Sequence, residues 1–122
     1  MTPTSANQPP SASSAGATVV RHFVAFQFKD TASPEQVAEV NTALVALKER
    51  IPGILAIERG TNNSPENLAH GFTDGFLITF GTTAERDIYL THPAHDEFLK
   101  LALPRIEKAF VFDYETAAIG LR

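Results

Sequence analysis

The chain has no cysteine, no tryptophan and a single methionine in 122 residues. Without cysteine there is no disulfide framework, no thiol nucleophile and no cysteine-ligated zinc or iron–sulfur site. Long apolar runs are missing too. Nothing approaches the roughly 18 residues of a membrane span, and Met1 to Val20 has neither a positive charge nor a hydrophobic segment of signal-peptide length. The expectation is a soluble, cytoplasmic protein that engages no membrane. Positive charge is also scarce. Ten Lys and Arg stand against 14 Asp and Glu, a net charge of −4, and the basic residues are scattered singly. Phosphate backbones are held by clustered Lys and Arg, so nucleic acid is excluded as a partner.

What is present suits one domain: 43 % of residues are apolar, nine of them Phe. A chain this long buries roughly two thirds of its unfolded surface on folding. Thr2 to Thr18 holds only Ser, Ala, Pro, Thr, Asn, Gln and Gly, too little apolar surface to offset ordering entropy. Residues 1–18 therefore read as a disordered tail, 19–116 as the folded domain and 117–122 as a C-terminal tail.

From Val19 the pattern alternates as a strand does, with Val20, His22, Val24, Phe26 and Phe28 on one face and Arg21, Phe23, Ala25 and Gln27 on the other. Ser33-Pro34-Glu35-Gln36 is a capping box with Pro in the first turn, followed by Val37, Val40, Leu44 and Leu47 at helical spacing. This predicts a helix to about Glu49, stopped by Ile51-Pro52-Gly53. A second strand spans Ile54 to Arg59 and a polar loop follows. A third spans Phe72 to Phe80, with Phe72, Asp74, Phe76, Ile78 and Phe80 on one face. Thr82-Thr83-Ala84-Glu85 is a second capping box and starts a short helix through Tyr89. His92-Pro93 breaks it and restarts a helix to about Ala109, kinked or interrupted by Pro104. Ala109 to Glu115 is the fourth strand.

The order β-α-β-β-α-β predicts an α+β, ferredoxin-like fold with one four-stranded antiparallel sheet and both helices on one face. The other face, lined by Phe23, Ala25, Leu77, Thr79 and Val111, is left bare. Such a patch predicts a homodimer that closes two sheets into an α/β barrel. The first and third strands are expected to be parallel neighbours, which would bring His22 beside Asp74.

The segments R-H-F-V-A-F-Q-F-K, I-P-G, G-T-N-N-S-P-E, F-L-I-T-F, Y-L-T-H-P-A-H and V-F-D-Y resemble the stress-responsive A/B barrel (Dabb) family over about Arg21 to Glu115. The resemblance implies a dimeric α+β barrel and, in plants, stress response. One enzymatic branch of that family is a polyketide cyclase that closes its substrate by an aldol step without cofactor or metal. Its acid/base histidines and pocket tyrosine match His22, Tyr89 and His95 here. Where many relatives read G-Y-T-H, this chain has Gly71-Phe72-Thr73-Asp74, a departure in the cyclase pattern.

The candidate catalytic residues are thus His22, His95, Tyr89 and Asp74. Asp74 would orient His22, and the positive end of a helix would keep His95 neutral. Phe26, Phe28, Phe72, Phe76 and Phe98 are candidates to shape a pocket for a small apolar or phenolic ligand. The functional expectation is a cofactor-independent acid/base enzyme acting on a small, partly apolar carbonyl compound. The alternative is a non-catalytic homodimer that serves stress response or binds a small ligand. His92-x-x-His95 invites a metal reading, but Pro93 makes the two rings diverge, so no metal is expected. His92 is assigned to the helix N-cap and His70 to a solvated loop.

Overall fold

The computed structural model describes residues 17–118. Most of the expected tails, 1–18 and 117–122, lie outside the described residues, although Thr18 already opens the first strand and Ala117 closes the last. The elements are β1 (Thr18–Phe28), α1 (Pro34–Arg50), β2 (Ile54–Thr61), β3 (Asp74–Phe80), α2 (Thr83–Thr91), α3 (Pro93–Ala102) and β4 (Ile106–Ala117). The sheet order is β2-β3-β1-β4, antiparallel at every step. This is the ferredoxin-like α+β arrangement expected from the element order.

Local chemistry fixes the helix starts. Ser33 accepts from the Gln36 N–H while the Gln36 side chain accepts from the Ser33 N–H, a complete capping box at α1. At α2 the Glu85 N–H donates to the Thr82 hydroxyl, and that hydroxyl donates to the Glu85 carboxylate. His92 caps α3, its Nδ1 accepting from the Ala94 N–H at 3.0 Å. The helices cover one face. Val40, Leu44 and Leu47 of α1 pack with Tyr89, Ala94, Phe98 and Ala102 against Val20, Val24, Phe26, Phe76, Ile78 and Phe80.

Four expectations need correction. β1 and β3 are antiparallel, not parallel. In this fold the first crossover skips the position beside β1, and β3 returns into the gap in the opposite direction. The second helix ends at Ala102, because Pro104 has no N–H to continue it. Leu103–Arg105 forms a 3-10 turn, and β4 starts at Ile106. Phe72 is not on the β3 face of Asp74. His70 and Gly71 take φ of 56° and 89°, which turns the chain so that Phe72 lies against Phe110, with centroids 6.2 Å apart. Lastly, Val111 pairs with Val24 and Asp113 with His22 on the helix-side face, so Phe110, Phe112 and Tyr114 share the bare face with Phe23, Ala25 and Arg21. Directly paired residues share a face, and a shift of one residue inverts a whole strand.

The bare face therefore carries an aromatic ladder. Phe110 and Phe112 stack at 6.3 Å, with Phe23 and Tyr114 at either side of the pair. Phe110 and Phe112 are 46 % and 56 % exposed.

The two kinds of stabilisation differ in size. Ser33→Ala should cost about 1 kcal/mol by removing one cap, whereas Leu44→Ala, which opens a cavity in the core, should cost about 2–5 kcal/mol. Urea denaturation of the two variants checks the order, and equal losses would contradict this account of the core.

Candidate active site

Three of the four expected catalytic residues converge at one end of the helix-covered face. His22 comes from β1, where the strand alternation aims it inward, and it is 4 % exposed. Tyr89 comes from the last turns of α2 and is 1 % exposed. His95 comes from the first turn of α3. The Tyr89 ring lies edge-on to both imidazoles, 5.8 Å from His22 and 4.7 Å from His95 by centroid, with Phe80 at 5.2 Å behind it. His92, shared by the ends of α2 and α3, sets the angle that makes this possible.

The fourth residue is elsewhere. Antiparallel pairing puts Ile78 beside His22 and Asp74 beside Phe26. Four residues of strand separate the two positions, about 13 Å. Asp74 instead accepts from Asn41 Nδ2 at 2.9 Å, Arg59 Nη2 at 3.3 Å and the Thr73 hydroxyl at 2.6 Å. The orienting carboxylate of His22 is Asp113. The Nδ1–H of His22 donates to Asp113 Oδ1 at 2.8 Å, and Arg86 Nη1 donates to Asp113 Oδ2 at 2.9 Å. Neither Asp113 nor Arg86 was among the sequence candidates. Reading β4 with Val111 on the bare face sent Asp113 there as well. The signal available was an ionised residue flanked by Val111, Phe112 and Tyr114, a position that requires a partner.

The electrostatics suit proton transfer. With Nδ1 committed to Asp113, His22 keeps Nε2 as its free acceptor. Burial lowers the His95 pKa below the ordinary histidine value, outweighing the opposing pull of Asp96, and the nearby His22 lowers it further. His95 is therefore neutral at pH 7, and its Nδ1 is buried without a hydrogen-bond partner. Burial raises the Tyr89 pKa, so its phenol stays protonated and can donate. An acceptor, a neutral imidazole and a hydroxyl donor thus share one site.

The aromatic pocket candidates do not form one wall. Phe26, Phe76 and Phe98 are buried core, with Phe26 touching Phe28 at 5.9 Å and Phe76 at 5.4 Å. Phe98 reaches His95 at 6.5 Å, and Phe72 is on the opposite side of the sheet. A groove of about 620 Å³ also lies away from the histidines, between the 62–73 loop and the bare face, where Phe23, Leu68, Phe72, Leu77 and Phe110 line it. Among the described residues no helix is long and apolar enough to cross a membrane.

Comparison with known proteins agrees with this architecture. A family model described as the stress responsive A/B barrel domain matches residues 20–116. The chain is 34 % identical over 102 residues to the stress-response A/B barrel domain-containing protein HS1 of Arabidopsis thaliana, covering 84 % of this chain and 94 % of that one. It is 30 % identical to olivetolic acid cyclase of Cannabis sativa, covering 78 % and 94 %. Among solved structures it superposes on the hydroxynitrile lyase of Passiflora edulis with TM-score 0.76 at 28 % identity, over 82 % of this chain and 94 % of that one. It also superposes on a dimeric, ferredoxin-like protein of unknown function from Bacteroides fragilis, with TM-score 0.65 at 26 % identity over 80 % and 96 %. With the family model matched over residues 20–116 and relatives at this level of identity, the chain belongs to the stress-responsive A/B barrel family.

Proposed function

We propose that this protein is a homodimeric acid/base catalyst acting on a small, partly apolar carbonyl compound. The observation that carries the reading is the convergence of His22, Tyr89 and His95, with His22 already held in one tautomer by Asp113. His22 Nε2 and the neutral His95 are the bases assigned to the proton α to the carbonyl, Tyr89 donates to the enolate oxygen, and the imidazolium that forms returns its proton to the product. Attack of the enolate on a second carbonyl of the same molecule would close a ring. Proton transfer alone carries these steps, so the reading calls for neither metal nor cofactor. Two relatives bear enzyme names, a cyclase and a hydroxynitrile lyase, which supports an enzymatic use of the fold without fixing the substrate.

A second reading, a non-catalytic protein that binds a small apolar ligand, has its own support. His22 and Tyr89 are almost wholly covered, while the open groove lies on the other face of the sheet. The two readings separate by hydrogen exchange. In D2O, wild-type protein should exchange the α-protons of small aryl and alkyl ketones above the buffer rate, measured by proton NMR. His95→Gln should lower that rate at least about 100-fold, the usual size of a general acid/base contribution, while circular dichroism and denaturation remain near wild type. No exchange by the wild type, or full exchange by His95→Gln, sinks the catalytic reading.

The pH profile has a defined sign. Because burial lowers the His95 pKa, its neutral form persists on the acid side of the usual histidine value. The part of the exchange that His95→Gln removes should stay level through neutral pH and fall only below about 6.5. A fall centred at or above that value would contradict the assignment.

The homodimer rests on the exposed Phe110, Phe112 and Tyr114 ladder and is supported by the dimer named for the structural neighbour. Light scattering at micromolar concentration should give twice the 13.2 kDa chain mass, and Phe112→Asp should return it to one. A monomeric wild type would remove this part of the proposal.

A further inference from the structure

The carboxylate behind His22 is itself held by a cation. Asp113 gives Oδ1 to the imidazole and Oδ2 to Arg86 Nη1, so both oxygens are engaged. Arg86 sits on α2 one turn before Tyr89 and also donates Nε to Asp87 at 2.9 Å. The Arg86 and Asp113 side chains are 21 % and 24 % exposed, sheltered enough for a charge on one to be felt by the other. A lone aspartate beside a buried imidazole stabilises imidazolium, which is the wrong form for a base. A guanidinium on the far oxygen opposes that effect.

We infer that Arg86 is a positioning residue for His22, offsetting the charge of Asp113 so that the carboxylate orients the imidazole as an Nδ1–H donor without protonating it, and leaving Nε2 unprotonated at neutral pH. The inference deepens the acid/base reading and rests on it for its functional meaning. The groups that face His22 are few. From α2 come Arg86, through Asp113, and the protonated Tyr89. His95 comes from α3. β4 supplies Asp113 and, one same-face pair further along, the exposed Glu115 opposite Val20, whereas β3 supplies only Ile78. Among the described residues, Asp113 is the anion in contact with the ring, and Arg86 is the cation in contact with Asp113.

The test needs no substrate. The His22 imidazole is followed by NMR in the full-length protein across pH, in wild type and in Arg86→Met, Arg86→Gln and Arg86→Lys. Met removes charge and hydrogen bond, Gln keeps a neutral donor, and Lys keeps the charge. The His22 midpoint should rise by about 0.5–1 pH unit in both Met and Gln and return toward wild type in Lys. A wild-type His22 that stays neutral down to acid unfolding, beside Met and Gln variants that titrate above it, is the same result in stronger form. Identical behaviour of wild type and Met, whether both titrate or neither does, overturns the inference. So does restoration by Gln, which would make the contact purely a matter of geometry. Loss of ketone exchange activity would count against the catalytic reading and leave this titration intact, so the two failures are distinguishable.

Discussion

Everything in this molecule depends on β1 being paired on both sides. With β3 on one edge and β4 on the other, its alternation has to satisfy two different surroundings at once. One set of side chains faces the helices and the other faces whatever lies beyond the sheet. Arg21 and His22 are adjacent in sequence and serve opposite sides. Arg21 reaches the Thr79 hydroxyl on the bare face, and His22 enters the helix-covered core. A one-residue slip of β1 would exchange their faces, putting a guanidinium where the buried imidazole now sits between Ile78 and Tyr89 and an imidazole on the bare face.

The core tolerates an imidazole because the edge strand supplies its partner. β4 lies at the rim of the helix layer, where Val111 is more than half exposed. Asp113 can therefore keep contact with water and Arg86 while touching a buried ring. A fully enclosed carboxylate would carry a desolvation cost that one imidazole could not offset. The same position at the rim explains why the aromatic side chains of β4 turn to the other face, where Phe23 and Phe72 already provide an apolar surface.

Most of the fold was legible in the sequence because it is written in local signals. The Ser33 and Thr82 caps, the Pro93 restart and the alternation of β1 and β3 each announce an element within a few residues. His22, Tyr89 and His95 were legible as candidates through their resemblance to a family pattern, and the inward face of β1 placed the first of them correctly. What was not legible depended on pairing between distant segments. Strand direction decided whether His22 meets Asp74, and the register of β4 decided whether it meets Asp113. An alternating strand states that two faces exist without stating which is which. Phe110, Phe112 and Tyr114 look like core by hydrophobicity and lie on the face the helices leave uncovered.

His92 closes α2 and opens α3 by itself. Because one residue joins the helices, the run from Tyr89 to His95 has no slack. Adding or deleting a residue there would rotate one helix by about 100° relative to its ring partners. In a stretch such as 62–73, by contrast, an extra residue would only lengthen a surface loop. The segment that carries the site can evolve by substitution but not by insertion.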